Sequence, residues 1–116
     1  IPKVKENIKM DKAIKIINKK KLGVLIVENL KGNTSGIITD GDIKRIAEKY
    51  SNFDNLKLKN VMKKNPISVD IDTLAASALS LMNTKKITSL CVHRNKKIKK
   101  TLGLIHMHDI LRSNIN

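Results

Sequence analysis

Asp42 and Asp109 are the residues best placed to do chemistry on a small ligand. Asp42 closes the run Gly36-Ile37-Ile38-Thr39-Asp40-Gly41-Asp42, and Asp109 closes Gly103-Leu104-Ile105-His106-Met107-His108-Asp109. A carboxylate can accept hydrogen bonds from two neighbouring hydroxyls at once, which suits an acid better than an amide. Thr39 adds a hydroxyl, and the first N–H groups of a following helix make a small anion site. His106 and His108 hydrogen-bond or, when protonated, ion-pair with phosphate or carboxylate. A plainer reading stands beside this one, in which Thr39, Asp40 and Asp42 simply cap a helix. His106, His108 and Asp109 also have a spacing open to metal ligation, but no fourth ligand converges with them, so no metal is expected. The chain has no nucleophile with an adjacent base, no tuned carboxylate pair and no P-loop spacing, which argues against an enzyme.

These residues recur because the chain is written twice. Gly36 to Arg45 aligns with Gly103 to Arg112, with glycine, acid, isoleucine and arginine in register. Upstream, Ala13-Ile14 and Val24-Leu25-Ile26-Val27 match Ala78-Leu79 and Ser89-Leu90-Cys91-Val92, the second copy's loop being two residues longer. Self-similarity of this kind is the mark of repeated structural units. Each copy opens with a helix. In the first it runs from Ala13 to Lys20, capped by Asp11, with Ile14 and Ile17 facing the core. In the second, Asp72 or Thr73 is the expected cap, and Leu74, Ala78, Leu81 and Met82 form the apolar stripe.

Val24 to Val27 and Leu90 to Val92 read as strands buried on both faces. The polar turns 29–35 and 94–100 lead to second strands ending at Thr39 and His106. Short helices then close the copies, from about Asp40 to Lys49 and from about Met107 to Arg112. Residues 50–57 read as a polar link, 59–64 as one helical turn, and Asn65-Pro66 as the point where the chain extends toward Val69. The expected organisation is a first repeat over 1–50, a linker over 51–60 and a second repeat over 61–116. The fold class is α+β in layers, with two βαββα-type repeats packed sheet to sheet about a pseudo-two-fold axis and the ligand crevice between them.

At 116 residues, the chain suits two small halves sharing an interface rather than two independent domains. Its apolar content is almost wholly aliphatic, Tyr50 and Phe53 being the only aromatics, so the core must be aliphatic. The formal charge of +14 invites a nucleic-acid reading. That charge is mostly lysine spread over every segment, with arginine only at 45, 94 and 112, whereas nucleic-acid modules usually add arginine for bidentate contacts and aromatics for stacking. No nucleic acid is expected as a partner, although anionic metabolites would be drawn to the field. Lys19 to Lys21, Lys63-Lys64 and Lys96 to Lys100 read as solvated clusters. Met62, Met82 and Met107 read as packing, and His93 as a strand-end surface residue. Cys91 lies within Leu90-Cys91-Val92, a small buried hydrophobe consistent with a reducing, cytoplasmic setting. No apolar run approaches the roughly 20 residues that span a bilayer, and no membrane partner is expected. The missing initiator methionine suggests a piece of something longer.

Gly36 to Asp42 resembles the CBS-domain signature of glycine, two apolar residues, Ser or Thr, two variable residues and Asp. The resemblance extends over essentially the whole chain. More narrowly, Ile38 to Arg45, Val61 to Pro66, Leu74-Ala75-Ala76, Lys86 to Leu90 and Gly103 to Arg112 resemble the C-terminal region of bacterial arabinose-5-phosphate isomerases. That resemblance implies a parent enzyme interconverting ribulose 5-phosphate and arabinose 5-phosphate for Kdo and lipopolysaccharide synthesis. Its catalytic sugar-isomerase (SIS) domain would precede this chain, which alone would have no isomerase activity and need no cofactor. The implied ligand is a nucleotide or nucleotide sugar: AMP, ATP, CMP or CMP-Kdo. Asp42 and Asp109 would take the ribose diol and Thr39 the phosphate. Pro2 to Val4 would wall the base beside the second motif, and Ile67 with Ser68 beside the first. Thr88, Ser89, His106 and His108 would line the second site, where His106 departs from the signature and makes the two sites unequal. A homodimer or higher homo-oligomer is implied, and a scaffold without ligand is the alternative function.

Overall fold

The computed structural model describes residues 2–20, 23–95 and 97–115. It has a mixed α and β fold that divides into two packing units, Ile1–Pro66 and Ile67–Asn116. The first unit runs β1 (Lys3–Lys5), α1 (Met10–Lys20), β2 (Val24–Glu28), β3 (Thr34–Thr39), α2 (Asp40–Lys49), a 3-10 turn (Phe53–Asn55), α3 (Leu58–Val61) and β4 (Lys63–Lys64). The second runs β5 (Ser68–Asp70), α4 (Ala75–Lys85), β6 (Ser89–Asn95), β7 (Ile98–His106) and α5 (Met107–Ile115). The expected β-α-β-β-α order is present in both. One sheet has the order β1-β2-β3-β4 and the other β5-β6-β7.

Burial explains the strands. Val24, Leu25, Ile26 and Val27 are all buried, so side chains that alternate between the faces of β2 leave neither face in water. Leu25 and Val27 meet Met10, Ala13 and Ile17 of α1 and Ile46 of α2 in an aliphatic core. The second core is smaller, built on Leu90, Ala78, Met82 and Ile110. Burying an aliphatic side chain of this size stabilises by about 1.5–3 kcal/mol, and these two clusters are what hold the helices to the sheets.

The repeat extends to individual backbone hydrogen bonds. Ile26 N–H donates to the Pro2 carbonyl at 3.1 Å, and Cys91 N–H to that of Ile67 at 3.2 Å. Asp40 N–H donates to Gly23 at 3.0 Å, and Met107 N–H to Thr88 at 2.8 Å. Both second strands end at Thr39 and His106 as expected, and α2 keeps its expected bounds.

Several local expectations fail for physical reasons. Asp11 lies inside the first turn of α1, whose start is Met10, and its Oδ1 accepts the Lys12 N–H. Neither Asp72 nor Thr73 caps α4; its N-cap is Leu74, which makes no side-chain cap bond and is 73% exposed, outside the stripe assigned to it. Ile14 does pack against the core as expected, though only partly buried, and Met10 and Ala13 join Ile17 in the fully buried positions. The turn placed over 94–100 is shorter, because β6 and β7 continue to an Asn95–Ile98 pair. Helix α5 reaches Ile115. Asn65, expected to be extended before Pro66, has φ 52°, a conformation asparagine tolerates better than most residues.

The stretch read as a polar link is tied to the first unit. Met10 N–H donates to Leu56 and Leu58 N–H to Ile8, while Leu58 is fully buried and Phe53 and Leu56 pack against the same core. Strand β4 then pairs with β3. By packing, residues 51–66 therefore go with the first unit, and the second unit begins at Ile67. Gly36 permits the approach of β4: a Cβ there would lie 2.3 Å from Met62 Sδ and 2.9 Å from the Lys63 carbonyl.

Candidate functional site

The first strand-to-helix junction is closed on itself. Thr39 Oγ1 accepts the Asp42 N–H at 3.1 Å, and Asp42 Oδ2 accepts the Thr39 N–H at 3.0 Å. This reciprocal capping box satisfies two donors that a helix start otherwise leaves open. The other oxygen, Oδ1, receives Arg45 Nη2 at 2.5 Å and Lys63 Nζ at 3.3 Å. The Asp42 side chain is 6% exposed. Burial alone would raise its pKa, but the bonds from Arg45 and Thr39 and the charge of Lys63 outweigh that and hold it below the ordinary carboxylate value. Beside it lies an open cleft of about 280 Å³, lined with Asp42 by the cations of Arg45, Lys49 and Lys63 and by Tyr50 and Asn60.

The second junction is built differently on the same frame. His106, at the end of β7, stands where Thr39 stands in β3, and it pairs across the sheet with Ser89. Thr88 accepts the Met107 N–H through its carbonyl, so Thr88, Ser89 and His106 come together where β6 begins and β7 ends. Asp109 follows in the first turn of α5. Its Oδ1 is bonded by Arg112 Nη2 from the same helix, and its side chain is 60% exposed. His108 is exposed beside it and His106 half-buried. Ser68 pairs with Cys91 at the start of β5, and Ile67 packs on the second core, so both belong to the second unit. Pro2 to Val4 belong to the first, alongside β2.

Two features escaped the sequence. Lys63 was read as part of a solvated cluster and is exposed, but its ammonium also reaches a buried carboxylate, a pairing the sequence did not announce, because β4 sets Lys63 opposite Ile37 in β3. His93 was read as a surface residue and is buried, 6% exposed, with Nε2 3.2 Å from the Thr101 hydroxyl. Burial lowers its pKa; Asp70, its partner on β5, opposes that and Lys99 adds to it. Cys91 is fully buried as expected, and burial pushes its thiol up against a smaller opposing bond from Thr101. Among the described residues, no three His, Cys, Asp or Glu side chains group to hold a metal. No helix among them is long and apolar enough to cross a membrane.

Two αβ units, each with an acid at the same strand-to-helix junction, define a tandem-repeat module of the CBS type. The CBS domain pattern matches residues 1–49 and 58–115, and the chain belongs to that family. It is 34% identical over 115 residues to arabinose 5-phosphate isomerase KdsD of Yersinia pestis, covering 99% of this chain and 34% of that protein. The chain thus spans about a third of the length of that curated relative. A solved CBS pair of protein MJ0100, in complex with 5'-methylthioadenosine and S-adenosyl-L-methionine, matches with a TM-score of 0.84 and 22% identity, over 97% of this chain and 90% of that one. CBSX2 in complex with AMP matches with a TM-score of 0.80 and 20% identity, over 97% and 85%. At these identities the structures establish the fold.

Proposed function

We propose that this chain is a regulatory module that binds a nucleotide or nucleotide sugar and passes the event to an attached catalytic domain. The observation that carries the reading is the acid repeated at one strand-to-helix position, with Asp109 presented to solvent in the first turn of α5, just after the strand end where His106 pairs with Ser89. Such a carboxylate accepts both hydroxyls of a ribose, while the imidazoles and the first N–H groups of α5 suit phosphate. Solved CBS pairs of this fold hold AMP or S-adenosyl-L-methionine, which supports an adenosine-type or related ligand. The likeness to KdsD supports a longer, cytoplasmic parent that isomerises arabinose 5-phosphate through a preceding SIS domain, with no catalysis in this part. In that setting CMP-Kdo, an activated end product, is a natural feedback ligand alongside AMP, ATP and CMP. Binding shifts the geometry the module imposes on its neighbour.

A scaffold role is the second reading, favoured by apolar side chains left in water: Leu74 beside α4 and Leu111 on α5. They suit a homodimer or higher homo-oligomer. Isothermal titration of the chain with AMP, ATP, CMP and CMP-Kdo separates the two. Saturable, base-selective binding that disappears in Asp109→Ala is expected, and no binding to any of the four would leave the scaffold.

A further inference from the structure

We infer that Lys63 closes the first repeat's ligand position from within, so that the chain takes one nucleotide, through Asp109, and none through Asp42. This rests on the nucleotide-binding reading above and decides which repeat performs it. A ribose diol needs free acceptor capacity on a carboxylate. Asp42 has little left: Oδ2 accepts the Thr39 N–H, and Oδ1 is shared by Arg45 and Lys63. A diol arriving there would replace two cationic donors with neutral hydroxyls and leave a buried charge less compensated, an unfavourable exchange. Thr39 is engaged as well, its oxygen accepting the Asp42 N–H.

Arg45 alone does not make the difference, since Arg112 bonds Asp109 in the same way. Lys63 does. It comes from β4, the fourth strand of the first sheet, whose register places it opposite Ile37. Among the described residues, the second sheet ends at β7, so no strand brings a lysine to Asp109. With His106 in place of Thr39, the second junction also lacks the hydroxyl that completes the capping box in the first. The exposure of the two acids follows, 6% against 60%.

The test is titration stoichiometry, using whichever of AMP, ATP, CMP and CMP-Kdo binds most tightly. The unmodified chain is expected to bind one nucleotide per chain. Asp42→Asn should leave that binding unchanged, and Asp109→Ala should abolish it. Lys63→Ser should raise the stoichiometry to two, and Lys63→Ser with Asp109→Ala should bind one. Circular dichroism checks that each variant is folded, and Lys63→Met repeats the test without a new hydroxyl. Two sites in the unmodified chain, loss of binding in Asp42→Asn, or a single site persisting in both folded Lys63 variants would each overturn the inference while leaving nucleotide sensing intact. No binding by any protein would overturn both.

Discussion

The two junctions share a backbone and differ in what their side chains are free to do. In the first, Asp42 sits under a capping box and two cations; in the second, Asp109 stands in solvent with one arginine from its own helix. The backbone hydrogen bonds that frame them match residue for residue. A repeated fold thus preserves the place where a ligand meets the chain without preserving its availability there. What changes availability is a single additional strand, β4, and the lysine it carries.

If the repeats differ at their junctions and not in their frames, matching core positions should respond alike. Leu25 and Leu90 occupy equivalent places in β2 and β6, and both are fully buried. Leu25→Ala and Leu90→Ala should each lose about 2–5 kcal/mol of unfolding free energy, measured by urea titration. A loss below about 1 kcal/mol at Leu90 would show that the smaller second core relaxes around the gap, and the equivalence of the frames would fail.

The frames were legible in the sequence because they are local and repeated. Gly36 to Arg45 and Gly103 to Arg112 fixed where strand gives way to helix, and the structure ends both strands where that pattern put them. What stayed hidden was decided at a distance. Nothing near Lys63 announces a buried acid partner, since the contact exists only after β4 has joined β3. His93 follows an apolar run and precedes Arg94, which looks like a strand running out into water, yet β7 pairs on to Ile98 and buries it. The cap of α4 misled for the opposite reason: Asp72 and Thr73 are good capping types, but Thr73 N–H already closes a turn onto Asp70, and the helix starts later at Ala75.

A middle-sized effect separates the junctions themselves. Asp42→Ala removes half of a capping box and the shared partner of two cations, and should cost about 0.5–2 kcal/mol. Arg45 and Lys63 are well exposed, so the ion pairs add little beyond the cap. Asp109→Ala should change stability by no more than about 0.5 kcal/mol. The first difference should also be pH-dependent. The pKa of Asp42 lies below its ordinary value when folded, so its contribution is present at neutral pH and is lost as the pH falls through that lowered value. Equal costs at pH 7, or an acid limb unchanged in Asp42→Asn, would erase the distinction between a committed acid and an open one.

The smallest expected effect lies one strand end away, where the repeats carry opposite charges. Lys5 faces Glu28 across β1 and β2, and Asp70 faces His93 across β5 and β6. In the first repeat the cations Lys3 and Lys5 lie 3.9 and 3.7 Å from Glu28. In the second, burial outweighs Asp70 and lowers the His93 pKa, so the folded chain holds the ring neutral while the unfolded chain protonates near the ordinary value of about 6.5. Protons then bind the unfolded state more readily, and stability should decline as the pH falls from about 6.5 until the folded ring also protonates. Urea midpoints across that range should show the decline in the unmodified chain and a flatter profile in His93→Gln. That amide keeps a polar partner within reach of Thr101 without a titrating ring. An unchanged profile in His93→Gln would place the pH sensitivity elsewhere and leave the charge reversal between the repeats without consequence for folding.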